Sequence, residues 1–262
     1  MQDFFIHLAQ IKEYLSNKPL LLLLDFDGTL SPIAVTPQAA TIPPKTLAAL
    51  LQLEKNPQVH LAIISGRALS DLRQKIPSAK ITLAGNHGLE WIYLNEPHLA
   101  DISQEVRHLL PALKQAFTQL TQQFPGTFVE DKHIAATVHF RSLPKALAAD
   151  FKQAFKHVFA QFTPFYMVLI GKKAFDVRPR TSWNKGTICQ LLISHFQKSF
   201  PNLRSIYIGD DATDEDAFKT LFTTITVRVG KNKHSHANYY LTNQRQVVEV
   251  LSFIRSHYEN RQ

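Results

Sequence analysis

One cysteine in 262 residues, Cys189, rules out an internal disulfide, and a chain with 45% hydrophobic content has to hold together by its core. Cys189 falls in the apolar helical stretch Ile188 to Ile193, where a buried, inert thiol is expected. The five leucines from Leu20 to Leu24 are far too few to span a bilayer, so no membrane partner is expected. Phe4, Phe5, Leu8, Ile11 and Leu15 recur at helical spacing and read as a docked amphipathic helix. The first residues lack the basic flank and small-residue cleavage site of a secretory leader, which makes the cytoplasm the expected compartment. No internal repeat or low-complexity stretch is visible. The formal charge of +8 comes without a long basic block or a groove-reading module, so nucleic acid is not the expected partner. A positive field serves an anionic small molecule equally well.

Against these absences stands the run Leu20 to Leu24 followed by Asp25-Phe26-Asp27-Gly28-Thr29. The leucines have no polar face and read as a parallel strand covered on both sides. Asp25 and Asp27 then point the same way, since strand side chains repeat every two residues, and two like charges at a strand end call for a cation or a developing positive charge. A lone Asp-x-Asp is more often an ordinary turn or helix cap, so the downstream partners decide. Val59 to Ile64 is a second apolar run, ending in Ser65-Gly66-Arg67. Lys185 stands just ahead of the helical pattern Ile188, Leu191, Leu192. A third run, Ile206-Tyr207-Ile208-Gly209, ends in Asp210, Asp211, Asp214, Glu215 and Asp216. That spacing does not fit an EF-hand loop, and oxygen ligands without His or Cys point to magnesium rather than a softer metal. A charged helix N-terminus is the plain alternative for this acidic loop.

These four segments, in this order, resemble the haloacid dehalogenase-like superfamily of aspartate-nucleophile phosphatases. The resemblance implies an α/β fold: a Rossmann-like parallel-sheet core carrying an inserted α+β cap domain. It implies Asp25 as nucleophile, Asp27 as general acid and base with a raised pKa, and Ser65 and Lys185 as holders of the phosphoryl oxygens. It also implies magnesium on the Asp25 carboxylate, the Asp27 carbonyl and Asp210, with Asp211 as a further metal candidate, although the sequence cannot order Asp211 and Asp214.

More than a hundred residues separate Ser65 from Lys185, far beyond one crossover helix, so an inserted domain is expected. Strands near Ile81 to Ala84 and Leu89 to Tyr93 continue the core. The insert reads as a helix from Ser103 to Gln123, strands Thr127 to Glu130 and Ile134 to Arg141, and a helix from Lys145 to Phe162. Strands Tyr166 to Ile170 and Ala174 to Val177 then flank a turn at Gly171-Lys172-Lys173. The expected division is a core of residues 1–101 and 179–262 with a cap of 102–178.

Gly85-Asn86-His87-Gly88-Leu89-Glu90, Glu130-Asp131-Lys132, His139-Phe140-Arg141 and Asp176-Val177-Arg178-Pro179 look like the corresponding segments of trehalose-6-phosphate phosphatases. With them the resemblance covers nearly the whole chain. It implies a small-molecule sugar phosphate as substrate, bound through Gly66, Arg67, Asn86, His87, Gly88, Glu130, Lys132, Arg141 and Asp176. It does not establish a docking site for a trehalose-phosphate synthase partner. Asp176 stands where the family pattern has a glutamate, which keeps sucrose phosphate, a glycosyl-phosphoglycerate or a hexose phosphate open as substrates, and a weakly catalytic sugar-phosphate sensor open as a role.

Overall fold

The computed structural model describes residues 1–34, 36–171 and 173–259. It divides into two compact units, Met1–Leu99 with Trp183–Gln262, and Ala100–Ser182.

The first unit opens with a two-residue strand β1 (Gln2–Asp3) and helix α1 (Leu8–Leu15), whose Ile11 and Leu15 are fully buried. The leucine run forms β2 (Leu20–Leu24), with all five side chains at zero exposure. There follow α2 (Pro44–Leu53), opened by a proline where the missing N–H costs nothing, then β3 (Val59–Ile64) and α3 (Leu69–Lys75). The stretch ends in β4 (Thr82–Gly85), β5 (Glu90–Tyr93) and β6 (Glu96–Leu99). The β5–β6 hairpin turns on Leu94 and Asn95, both with positive φ. Without an Asn-Gly or Asp-Gly pair, this turn and β6 have little sequence signal.

The insert consists of α4 (Gln104–Gln123), β7 (Phe128–Asp131), β8 (Ala136–His139), α5 (Ala148–Ala160), β9 (Tyr166–Ile170) and β10 (Ala174–Pro179). Its sheet runs β7-β8-β10-β9, antiparallel throughout. Strand alternation sends Val129, Val138, Phe175 and Val177 to one face. Phe175 there stacks 4.0 Å from Phe155 of α5, which stacks in turn on Phe117 of α4 at 5.3 Å. The opposite face carries Phe128, Glu130, Thr137, His139 and Asp176. Strand β8 is shorter than the expected Ile134 to Arg141, because the chain turns after His139, with Leu143 N–H bonding back to Phe140 C=O. Helix α5 starts after a single 3₁₀ turn over Lys145–Leu147 and stops at Ala160, short of Phe162. The turn expected at Gly171-Lys172-Lys173 includes Lys172, which lies outside the described residues; Gly171 N–H bonds Ala174 C=O across it. The return to the core comes after Ser182 instead of at 179, since Arg180 N–H and Nε donate to Phe165 and Thr163 carbonyls of the insert.

The chain re-enters the first unit with α6 (Lys185–Ser199), β11 (Arg204–Gly209), α7 (Glu215–Thr220), β12 (Ile225–Val229), β13 (Tyr239–Leu241) and α8 (Gln246–Glu259). Among the described residues the strand order is β1-β13-β12-β11-β2-β3-β4-β5-β6, parallel except for the β4–β5–β6 meander. From β2 the chain winds outward through β3 and β4; after the insert it winds the other way through β11, β12 and β13. The order therefore reverses between β2 and β11, and in open α/β sheets ligands bind at the carboxyl ends of the strands flanking such a reversal. Asp25 follows β2, Ser65 follows β3 and Asp210 follows β11. No helix among the described residues is long and apolar enough to cross a membrane.

Candidate active site

Asp25 stands one residue past the last paired leucine, with its N–H on the Ile208 carbonyl at 2.9 Å. Its Oδ1 accepts from Lys185 Nζ at 2.7 Å, and the same ammonium reaches Asp214 Oδ1 at 2.7 Å. Lys185 is the first residue of α6, whose start is fixed by the Asn184 side chain accepting from Thr187 N–H. All three charged groups are nearly inaccessible: Asp25 4%, Lys185 2% and Asp214 0%. Burial opposes the ammonium, but Asp214 and Asp25 outweigh it and hold Lys185 well above its ordinary range. Asp214 is the hub. Its Oδ1 also takes the Tyr207 hydroxyl at 2.5 Å, and its Oδ2 takes the N–H groups of Asp210 and Asp211 at 2.8 and 2.9 Å. A carboxylate so fully engaged organises its neighbours, folding the acidic loop around itself.

Ligand atoms of Asp25, Asp210 and Asp214 lie within 4.8 Å of one another. Asp210 Oδ1 is buried with no hydrogen-bond partner, a costly condition for a carboxylate oxygen. Burial, then the charges of Asp214 and Asp211, push Asp210 up to about 7, and burial pushes Asp25 well above the carboxylate range. A hard divalent cation would answer both the orphaned oxygen and the crowded charge. Gly28 belongs to the same arrangement: its φ is +83°, and a Cβ there would fall 2.1 Å from Asp210 Oδ2. The residues therefore fit a cation held by Asp25 and Asp210. Asp211, expected beside them, turns its Oδ1 to Thr213 N–H and Oγ1, both at 2.7 Å, and closes its own turn.

Asp27 goes elsewhere. Alternation stops with β2 at Leu24, and while Asp25 meets Lys185, both Asp27 oxygens accept from the Arg67 guanidinium at 2.6 Å. The two carboxylates expected to share one direction are thus held by different cations, Asp25 by Lys185 and Asp27 by Arg67. Ser65 is 1% exposed at the end of β3, its Oγ accepting from Arg67 N–H and its carbonyl from His87 N–H. Asn86 and His87 both hold left-handed backbone, φ 49° and 58°, a conformation that non-glycine residues keep only where surroundings enforce it. The enforcement is visible: Asn86 N–H bonds the Arg67 carbonyl, and Asn86 Nδ2 bonds Glu90 Oε1 at 2.8 Å. Gly66 lets the His87 ring in, since a Cβ would come 2.6 Å from its Cε1. The carbonyl of Gly88 accepts from the Trp183 indole.

On the insert, pairing of β7, β8 and β10 sets Glu130, Thr137 and Asp176 side by side in one cross-strand row. Lys132, just past β7, bonds Asp176 Oδ1 at 2.8 Å, and Thr137 Oγ1 donates to the same oxygen at 2.6 Å. Glu130 Oε2 meets His139 Nε2 at 2.7 Å, and the His139 ring stacks 4.6 Å from Phe128. Burial raises the Glu130 pKa, but the His139 hydrogen bond and the Lys132 charge outweigh it and hold it below its usual range. Arg141 is exposed in the turn beyond β8, off the strand that was expected to carry it. Thr137 and Tyr207 join these networks without any spacing signal in the sequence; only register and topology bring them in.

The chain matches the family model described as trehalose-phosphatase over residues 23–245. A trehalose-phosphate phosphatase of Mycobacterium tuberculosis is 35% identical over 201 residues, covering 75% of this chain and 50% of the relative. A probable trehalose-phosphate phosphatase of Oryza sativa subsp. japonica is 30% identical over 245 residues, covering 90% and 65%. The chain thus spans about half the length of the mycobacterial relative. The C-terminal domain of trehalose-6-phosphate phosphatase from C. albicans superposes with a TM-score of 0.77 at 26% identity, over 95% of this chain and 96% of that one. A haloacid dehalogenase-like hydrolase from Bacteroides thetaiotaomicron, 15% identical, shares the fold with a TM-score of 0.64 over 90% and 100%. With its acidic strand ends and its insert accounted for by that fold, the chain belongs to the trehalose-phosphatase family.

Proposed function

We propose that this chain hydrolyses trehalose 6-phosphate to trehalose and phosphate, with magnesium, through an aspartyl-phosphate on Asp25. The observation that carries the reading is Asp25 itself: a buried carboxylate at the strand-order reversal, tethered by Lys185 and adjacent to the unpartnered Asp210 oxygen. Uncatalysed phosphate-monoester hydrolysis is so slow that catalysis has to supply on the order of 20 kcal/mol, which favours two shorter transfers over one. In the first, an Asp25 oxygen bonds phosphorus as the bond from phosphorus to the sugar oxygen breaks, and that oxygen takes a proton from Asp27. In the second, Asp27 takes a proton from water whose oxygen attacks phosphorus, returning Asp25 and releasing phosphate. Lys185 and Ser65 hold phosphoryl oxygens. Magnesium on Asp25 and Asp210 would neutralise phosphoryl charge when bound.

The insert is the natural reader of the leaving group. Its row of Glu130, Thr137, Asp176 and Lys132 offers acceptors and donors at strand spacing, which suits the ring hydroxyls of a disaccharide better than an apolar pocket would. Asn86 and His87, fixed in the core, are proposed to meet the sugar phosphate as well.

The test is phosphate release from trehalose 6-phosphate, sucrose 6-phosphate, glucose 6-phosphate and an aryl phosphate with magnesium present. A kcat/KM for trehalose 6-phosphate well above the others is expected. Preference for another sugar phosphate would move the substrate while leaving the chemistry, and release from none would return the chain to a binding role.

A further inference from the structure

Arg67 was expected to touch substrate, yet its guanidinium is committed to the protein. Nε and Nη2 each bond one oxygen of Asp27 at 2.6 Å, and Nη1 bonds the Pro37 carbonyl at 2.8 Å and Asp71 Oδ2 at 2.7 Å. Its guanidinium carbon lies 4.9 Å from the centroid of the Phe26 ring. The side chain is 7% exposed, while that of Asp27 is 42% exposed. The backbone of Arg67 is tied as firmly, its N–H on Ser65 Oγ and its carbonyl on Asn86 N–H. One rigid residue thus joins the segment after β2 to the segments after β3 and β4.

We infer that Arg67 is a positioning residue, fixing the orientation of Asp27 for proton transfer to and from the leaving oxygen. The inference rests on the acid and base role proposed above for Asp27. Asp27 lies beyond the ladder of β2 and is substantially exposed, so nothing in its own strand fixes its carboxylate. A planar two-pronged donor fixes both carboxylate oxygens at once, which a lysine cannot do. Each oxygen retains a second lone pair after accepting one N–H, so the forked contact leaves room for a proton to pass. As the bond from phosphorus to the leaving oxygen breaks, the proton moves from the Asp27 carboxyl to that oxygen. In the second transfer it comes back from water. Alignment is worth having here: a displacement near 1 Å costs roughly 10²-fold in rate. Asp71 and the Pro37 carbonyl hold the guanidinium from behind.

The test is kcat/KM, which reports the steps through departure of the leaving group, over monophosphates graded from nitrophenyl through phenyl to simple alkyl esters, at saturating magnesium. Help with protonation matters most where the leaving oxygen is most basic. Arg67→Met is expected to lose about 10²-fold on alkyl phosphates but only a few-fold on nitrophenyl phosphate. Arg67→Lys should fall between, and Asp71→Asn, which leaves both bonds to Asp27 in place, should show the same trend more weakly. Thermal unfolding checks that each variant is folded; should Arg67→Met fail to fold, Asp71→Asn and Arg67→Lys carry the test. A loss independent of leaving group, or a gain in rate, would overturn the inference. Asp27→Asn in the same series separates the two levels. A steep trend there with a flat one for the Arg67 variants removes only the positioning role, whereas a flat Asp27→Asn profile removes the acid assignment and this role with it.

Discussion

Two groups of carboxylates among the described residues are built in opposite ways. At the strand ends of the first unit, Asp25 from the segment after β2 and Asp210 and Asp214 from the loop after β11 are largely buried, and crowd to the point that Asp210 keeps an oxygen without a partner. On the insert, Glu130 and Asp176 are neighbours of Thr137 by strand register, partly accessible, and each has a cation or imidazole beside it. Unrelieved charge suits a cation and a transferring phosphoryl group. Balanced, partly accessible charge suits a neutral polyol, which needs hydrogen bonds in several directions. On the proposed reading, one region does chemistry and the other selects.

The largest effect should come from the core. Asp25→Asn removes the nucleophile and is expected to lower kcat by at least about 10⁴-fold on every phosphate ester, aryl esters included, with the thermal unfolding transition retained. Near-normal turnover by the purified variant would break the division at its root.

Metal removal comes next. In chelated protein Asp210, pushed up to about 7, keeps a proton in the folded state that an unfolded aspartate releases near pH 4. Unfolding then releases a proton throughout that interval, so stability falls as pH rises toward neutrality, and Asp25 shifts the same way. Thermal unfolding in chelator should therefore give a lower Tm at about pH 8 than at about pH 6.5, while magnesium raises Tm most at the higher pH and restores activity. A chelated protein that keeps full activity, or whose Tm rises over that interval, would contradict a cation site at Asp25 and Asp210.

The first region was legible where a strand ended abruptly in charge. Leu20 to Leu24 announced a buried strand, and Asp25, Ser65, Lys185 and Asp210 each followed or preceded an apolar run. What lay hidden depended on topology. Asp27 and Arg67 are forty positions apart and meet only because β2 and β3 are neighbours in the sheet. Asp214 looked like one acid among five in a helix start, yet its burial beneath Tyr207 and Lys185 makes it the organiser of the loop. In the insert the helices and strands were readable from their periodicity. The pairing of Lys132 with Asp176 was not, because it takes the register of three strands to bring them together.

Smaller and more selective effects belong to the insert. Glu130→Ala and Lys132→Ala should each reduce kcat/KM for trehalose 6-phosphate by roughly 10 to 100-fold, while an aryl phosphate that lacks the disaccharide loses only a few-fold. Equal losses on both substrates would reassign the row to structural support. Asp176 is expected to matter least. Its Oδ1 already receives Lys132 and Thr137, so Asp176→Glu, one methylene longer, should stay within about threefold of the parent on trehalose 6-phosphate. Asp176→Ala should weaken that substrate and leave aryl phosphate hydrolysis close to normal. Unaltered trehalose 6-phosphate kinetics in Asp176→Ala would take this residue out of the sugar-reading row.

The proposed chemistry of the core stands or falls on one covalent bond. Purified protein mixed with trehalose 6-phosphate labelled with ³²P, in magnesium and under single-turnover conditions, is quenched in acid at successive times and digested. Label is expected to appear on the peptide containing Asp25, to decay as free phosphate accumulates, and to be absent in Asp25→Asn. Phosphate released at the full rate while label never enters that peptide, or enters a different one, would contradict the transfer through Asp25.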